Sequence, residues 1–147
     1  MNAVDIVVIE DNCYDTEMIL AALSEKAIRN KVRVISDGAE ALNYFFGPEG
    51  CLEQALGNLP KFILLDLKLP KFDGLAIMKS IRSDERTKYI PIVVFTSSDE
   101  EQDRVECYSL GANSYIVKPL DADVFSRFVA DIGSYWIQMN RATHVDV

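Results

Sequence analysis

Four separated places in the sequence set a reactive polar side chain directly after an apolar run. Glu10-Asp11 follows Val4-Asp-Ile-Val-Val-Ile9, Asp66 follows Phe62-Ile-Leu-Leu65, Thr96 follows Pro91-Ile-Val-Val-Phe95, and Lys118-Pro119 follows Ser114-Tyr-Ile-Val117. Three carboxylates brought into one cleft repel one another unless a cation joins them. Hard oxygen donors with a single lysine nearby suit Mg2+ far better than zinc. With the metal offsetting its charge, Asp66 could attack a phosphoryl group while Lys118 and the Thr96 hydroxyl stabilise the phosphoryl oxygens. The product would be an aspartyl phosphate. A lone Asp after a strand more often only caps a turn; the set of four, in this order, argues for chemistry.

The elements that must position these residues can be read from the pattern. Val4–Ile9, apolar without a break from Ile6, and Phe62–Leu65 and Pro91–Phe95 are runs of the kind found in strands buried on both faces, and Ser114–Val117 is a fifth short strand. Lys31–Ile35 alternates, as an edge strand does. Between the strands, residues from about Asp15 to Ala27 carry Ile19, Leu20, Leu23 and Ala27 on one helical face. Asp37-Gly38 opens a helix with Ala41, Leu42, Phe45 and Phe46 inward, and Ile77, Met78 and Ile81 mark another that ends near Ser83-Asp84. The acidic segment from Asp99 to Leu110 is a fourth helix stopped by Gly111, and from Asp121 a stripe of Val124, Phe125, Phe128, Val129, Ile132, Tyr135 and Trp136 makes the fifth. An irregular connection over residues 47–61, with a helical turn expected between Cys51 and Leu56, interrupts the rhythm. Five βα units imply a doubly wound α/β fold with a parallel sheet, and right-handed crossovers put all the strand ends on one rim.

Composition narrows the classes of function. At 147 residues and 49% hydrophobic content the chain suits one substantial core. Its apolar runs fall far short of the roughly 20 residues that cross a bilayer, and no basic region followed by an apolar one opens the sequence, so a soluble, unprocessed, cytoplasmic protein is expected. A net charge of −8 argues against a nucleic-acid surface. Cys13, Cys51 and Cys107 are odd in number and widely spaced, without a zinc or disulfide pattern, and read as incidental.

On these residues the chain resembles a two-component response regulator receiver domain, over about residues 4 to 138. The resemblance implies a five-stranded flavodoxin-like sheet in the order 2-1-3-4-5 flanked by five helices, with a receiver domain at 1–140 and a short tail at 141–147. It implies that Asp11 and Asp66 ligate Mg2+ directly, that Glu10 acts through water, and that the backbone carbonyl of Lys68 completes the protein ligands. Asp66 would be the phosphoacceptor, Lys118 and Thr96 its catalytic partners, and Thr96 with Tyr115 the switch, the ring turning inward as Thr96 moves. Asp37-Gly38, Leu69-Pro70 and Gly74 occupy supporting turns, Phe72 stands where many receivers have Met, and the Lys118–Pro119 bond is expected to be cis, which gives Pro119 a structural role. More narrowly, the long connection before Leu59-Pro60, the segment from Asp84 to Ile90 and the absence of an output domain resemble stand-alone receivers that serve phytochrome histidine kinases, especially cyanobacterial ones. Lys68 and Ser98 fall at positions that vary among receivers and tune phosphoryl lifetime.

Rival readings fail on particular residues. A haloacid-dehalogenase-type phosphatase needs a second acid two residues after its nucleophile, where this chain has Lys68. An FMN binder needs a phosphate loop after its first strand, and Glu10-Asp11 would repel the phosphate. No Gly-x-x-x-x-Gly-Lys is present. The alternative within the fold is a pseudo-receiver that acts only as a scaffold, which the intact set of residues disfavours. His144, the one histidine, lies in a polar tail, so the phosphoryl group must come from another molecule, a sensor histidine kinase. The protein would catalyse only its own phosphorylation and dephosphorylation. Tyr135, Trp136, Ile137 and Met139 make the end of the last helix apolar nearly all round, more than docking on its own sheet uses, so a homodimer through that helix is expected.

Overall fold

The computed structural model describes residues 4–25, 31–47, 59–71 and 73–143. The expected turn between Cys51 and Leu56, and Ala27, Phe72 and His144, lie outside the described residues. The chain alternates strand and helix: β1 (Ile6–Ile9), α1 (Cys13–Glu25), β2 (Val32–Ile35), α2 (Gly38–Phe46), β3 (Phe62–Leu65), α3 (Gly74–Ser83), β4 (Ile92–Thr96), α4 (Glu101–Ser109), β5 (Ser114–Val117) and α5 (Ala122–Gly133). All strand pairs are parallel, in the order β2-β1-β3-β4-β5, as expected.

The three continuous apolar runs became the three inner strands because both faces of the sheet are covered. Val7, Ile9, Ile63, Leu65, Ile92 and Val94 face one cluster, completed by Ala41 and Phe45 of α2, Ile77, Met78 and Ile81 of α3, and Cys107 of α4. Ile6, Val8, Phe62, Leu64, Val93 and Phe95 face the other, completed by Ile19, Ala22 and Leu23 of α1 and Phe125, Val129 and Ile132 of α5. Each large side chain fully buried in this way contributes about 1.5–3 kcal/mol. The edge strand β2 exposes Arg33 between the half-buried Val32 and Val34, and its last residue, Ile35, is fully buried.

Helix ends follow local chemistry. The Asp37, Asp73 and Asp121 side chains accept from the backbone N–H three residues on and cap α2, α3 and α5. At the end of α4, Gly111 takes φ +104°, a left-handed conformation that favours glycine, and the Ala112 N–H reaches back to the Cys107 carbonyl. Three residues assigned to the apolar stripes are exposed at their edges, Leu20 on α1, Phe128 on α5 and Tyr135 just beyond it, and Ala22 takes the inward place on α1. The last helix is also not uniform. After the buried Gly133 the backbone widens into a π-helical segment, Ser134–Met139, which directs Trp136 and Ile137 against the second cluster, where Trp136 tilts over Phe62 with ring centroids 6.5 Å apart. Two of the four apolar residues expected at a dimer surface therefore close the chain's own core, while Tyr135 and Met139 stay exposed.

Candidate functional site

The strand ends deliver their polar residues to one rim while their backbones stay in the sheet. The Glu10 N–H donates to the Ile35 carbonyl (2.9 Å), the Asp66 N–H to the Ile9 carbonyl (3.0 Å) and the Lys118 N–H to the Thr96 carbonyl (2.7 Å). From these anchored positions the side chains converge. Glu10 is 3% exposed and Asp66 8%, and with the exposed Asp11 they place carboxylate oxygens all within 4.8 Å of one another. Three hard oxygen donors so close, two of them buried, fit a divalent cation such as Mg2+ or Mn2+.

Lys118 is the counter-charge. Its ammonium donates to Glu10 Oε1 at 2.6 Å, Asp15 Oδ2 at 2.7 Å and Asp66 Oδ2 at 3.2 Å. Burial alone would lower the pKa of this ammonium, but the hydrogen bonds to Asp15 and Glu10 and the charge of Asp66 outweigh it and hold it above the usual lysine value. Burial pushes the Glu10 carboxyl up to about 7; the Lys118 bond opposes that shift and the Asp66 charge adds to it. The site is thus overloaded with negative charge that one lysine only partly offsets.

The Lys118–Pro119 bond is trans, since no described peptide bond is cis, and the expected cis isomer is corrected. Lys118 keeps its backbone in the ladder and reaches the acids with its four-carbon stem, so no reversal at the proline is required. Trans is also the lower isomer by about 0.5–1 kcal/mol.

The turns around Asp66 are packed closely. The Gly74 N–H donates to the Leu67 carbonyl, and a Cβ at Gly74 would lie 2.6 Å from the Asp66 carbonyl oxygen and 2.8 Å from the Leu67 Cα, both backbone atoms. Only glycine lets α3 begin there. The Gly38 N–H donates to the Pro70 carbonyl, and Lys71, in the left-handed region at φ 70°, sets its ammonium 3.7 Å from Asp37. These bonds tie the turn after β3 to the start of α2. The Lys68 N–H points back to Asp66 Oδ1 at 3.4 Å, and its side chain is exposed.

Thr96 is fully buried at the end of β4, and its hydroxyl accepts from the Ser98 N–H at 3.4 Å rather than bonding Asp66. Tyr115 is half-buried, with its hydroxyl donating to the Ser98 carbonyl at 2.9 Å, and burial lifts its phenol above the ordinary pKa. The ring therefore already lies over the loop after β4. The Ser98 hydroxyl donates to Asp103 of α4 and accepts from the Glu100 N–H.

Sequence reasoning missed Asp15, which it placed at the start of a covering helix, and Asn12. Asn12 caps α1 by accepting the Asp15 N–H (2.9 Å), while its own N–H donates to Glu10 Oε2 (3.1 Å). The usable signal was a fourth acid, one helical turn after Glu10-Asp11, on the same rim.

A family model described as the response regulator receiver domain matches residues 6–130. The probable methanogenesis regulatory protein FilR2 of Methanothrix harundinacea is 36% identical over 137 residues, 93% of this chain and 86% of that one. Response regulator Rcp1 of Synechocystis is 32% identical over 133 residues, 90% of this chain and 88% of that one. The Mn2+-bound structure of Rcp1 superposes with a TM-score of 0.81 at 29% identity, covering 94% of this chain and 97% of that one. The phosphorylated cyanobacterial phytochrome response regulator RcpA gives a TM-score of 0.85 at 33% identity over 94% and 96%. The chain belongs to the response regulator receiver-domain family and, within it, is related to phytochrome response regulators.

Proposed function

We propose that the protein accepts a phosphoryl group on Asp66 from a sensor histidine kinase, in a Mg2+-dependent reaction, and signals by a change of surface. The observation that carries this reading is the buried Asp66 carboxylate held by Lys118 beside the converging oxygens of Glu10 and Asp11. Asp66, Glu10 and Asp11, with the Lys68 carbonyl, would hold the metal, which supplies charge neutralisation for the carboxylate and the incoming phosphoryl oxygens. An Asp66 oxygen forms the new O–P bond as the P–N bond to the kinase histidine breaks, and the electron pair leaves with the imidazole nitrogen. Lys118 donates to a phosphoryl oxygen. The Thr96 hydroxyl accepts from Ser98 and so keeps its own hydrogen free to donate to another.

Kinship with phytochrome response regulators supports a phytochrome-type kinase as the donor. Tyr115 and Thr96, joined through the loop at Ser98, are the switch pair. The exposed Tyr135 and Met139 are the residues a second copy would cover. With Mg2+ and acetyl phosphate, intact-mass spectrometry should find one hydroxylamine-sensitive phosphoryl group. Phosphorylation that persists in Asp66→Ala or in EDTA overturns the assignment, and phosphotransfer profiling against histidine kinases tests the partner.

A further inference from the structure

We propose that Asp15 is the positioning residue for Lys118, holding the ammonium over the acceptor once the other acids are engaged, and so setting how fast Asp66 is phosphorylated. This rests on the function proposed above and adds a residue to its machinery.

An ammonium has three donors, and those of Lys118 go to Glu10, Asp15 and Asp66. Two of these partners have other work. Glu10 and Asp66 belong, with Asp11, to the group whose oxygens converge within 4.8 Å, and Asp66 is also the atom source for the new O–P bond. Asp15 is outside that group. Of the three carboxylates it alone is claimed neither by a cation nor by the phosphoryl group, and its 2.7 Å contact is shorter than that of Asp66.

The local fold frees Asp15 for this role. It is the third residue of α1, after the cap Asn12. In a capping box the side chain at that position, a glutamate or glutamine, turns back and accepts the N–H of the capping residue. Here the Asn12 N–H is already taken by Glu10 Oε2, so the Asp15 carboxylate instead bonds a lysine 103 positions along the chain. Asn12 thereby sets both acids at once, Glu10 through its N–H and Asp15 through its side chain. The bland explanation is that Asp15 only complements the positive end of the helix. That role predicts a loss of stability and nothing else.

The test compares wild type, Asp15→Ala and Asp15→Asn, each checked for folding by circular dichroism and urea unfolding. The 15N-detected Lys118 side-chain resonance is followed with Mg2+ saturating, alongside Mg2+ affinity by calorimetry and phosphorylation rate against acetyl phosphate concentration. In Asp15→Ala the ammonium resonance should be lost to water exchange. The limiting rate should fall about tenfold to a hundredfold, the scale set by misplacing a reacting group by about an ångström, with Mg2+ affinity unchanged. Asp15→Asn keeps an acceptor oxygen and should recover part of both. A folded Asp15→Ala protein that keeps the resonance or the wild-type rate overturns the proposal. If wild type accepts no phosphoryl group, the function proposed above fails, and the resonance alone then decides whether Asp15 holds Lys118.

Discussion

Cys107 has no exposure on α4, and burial pushes its thiol up to about 11, with the charges of Asp103 and Glu106 adding to the shift. The folded protein therefore keeps a proton that the unfolded chain begins to lose near 9.0, so this group's share of stability declines as pH rises from about 9 towards 11. At neutral pH an alkylating reagent should label the exposed Cys13 in the native protein and Cys107 only after denaturation, as peptide mapping would check. Rapid native labelling of Cys107 would contradict its burial. The residues of the site differ in how visible they were. Glu10, Asp11, Asp66, Thr96 and Lys118 stood out because each ends an apolar run, and chain order alone carries such residues to one rim. Asp15 did not, because an acid in the first turn of a helix has a sufficient local explanation and its partner lies far along the chain. The isomer at Pro119 was out of reach for a related reason: how far Lys118 must turn depends on the packing around its stem, which no spacing encodes.

At the scale of elements, the start of α3 is packed tightly against the turn after β3. Gly74→Ala would drive a methyl into the Asp66 carbonyl and the Leu67 Cα, neither of which can rotate away. The expected cost is about 1–3 kcal/mol in urea unfolding, as for other overpacked sites, with slower phosphorylation because Asp66 is displaced. Wild-type stability and rate in this variant would show that α3 has room to shift. The strands were legible because full burial on both faces leaves an unbroken apolar run, and the starts of α2 and α5 because Asp37-Gly38 and Asp121 stand just before an apolar helical stripe. Leu20 and Phe128 were misplaced because periodicity locates the middle of an apolar stripe but not how far the neighbouring helix covers its edge. The π-helical segment left no mark, since Tyr135, Trp136, Ile137 and Met139 continue an apolar helical pattern while the hydrogen-bond spacing changes beneath them.

For the whole molecule, the use of Trp136 and Ile137 in the core changes which substitutions test association. Trp136→Ala should lower stability rather than break a dimer. Tyr135 is 47% exposed and Met139 63%, so Tyr135→Ser with Met139→Ser should move a sedimenting dimer towards monomer at micromolar concentration while leaving unfolding nearly unchanged. A wild type that sediments as a monomer throughout would leave these residues without that role. The anchoring of Glu10, Asp66 and Lys118 by their own amides in the sheet has a further consequence, for time rather than energy. Those three amides can meet deuterium only when the sheet itself opens, so their exchange should be among the slowest in the protein and the same before and after phosphorylation. The Ser98 and Glu100 amides, held only by side-chain hydroxyls at 3.4 and 3.3 Å, answer to a faster clock. Exchange there should change when Asp66 is modified, and the signal would leave the rim through a loop that moves while the strands beneath it keep still.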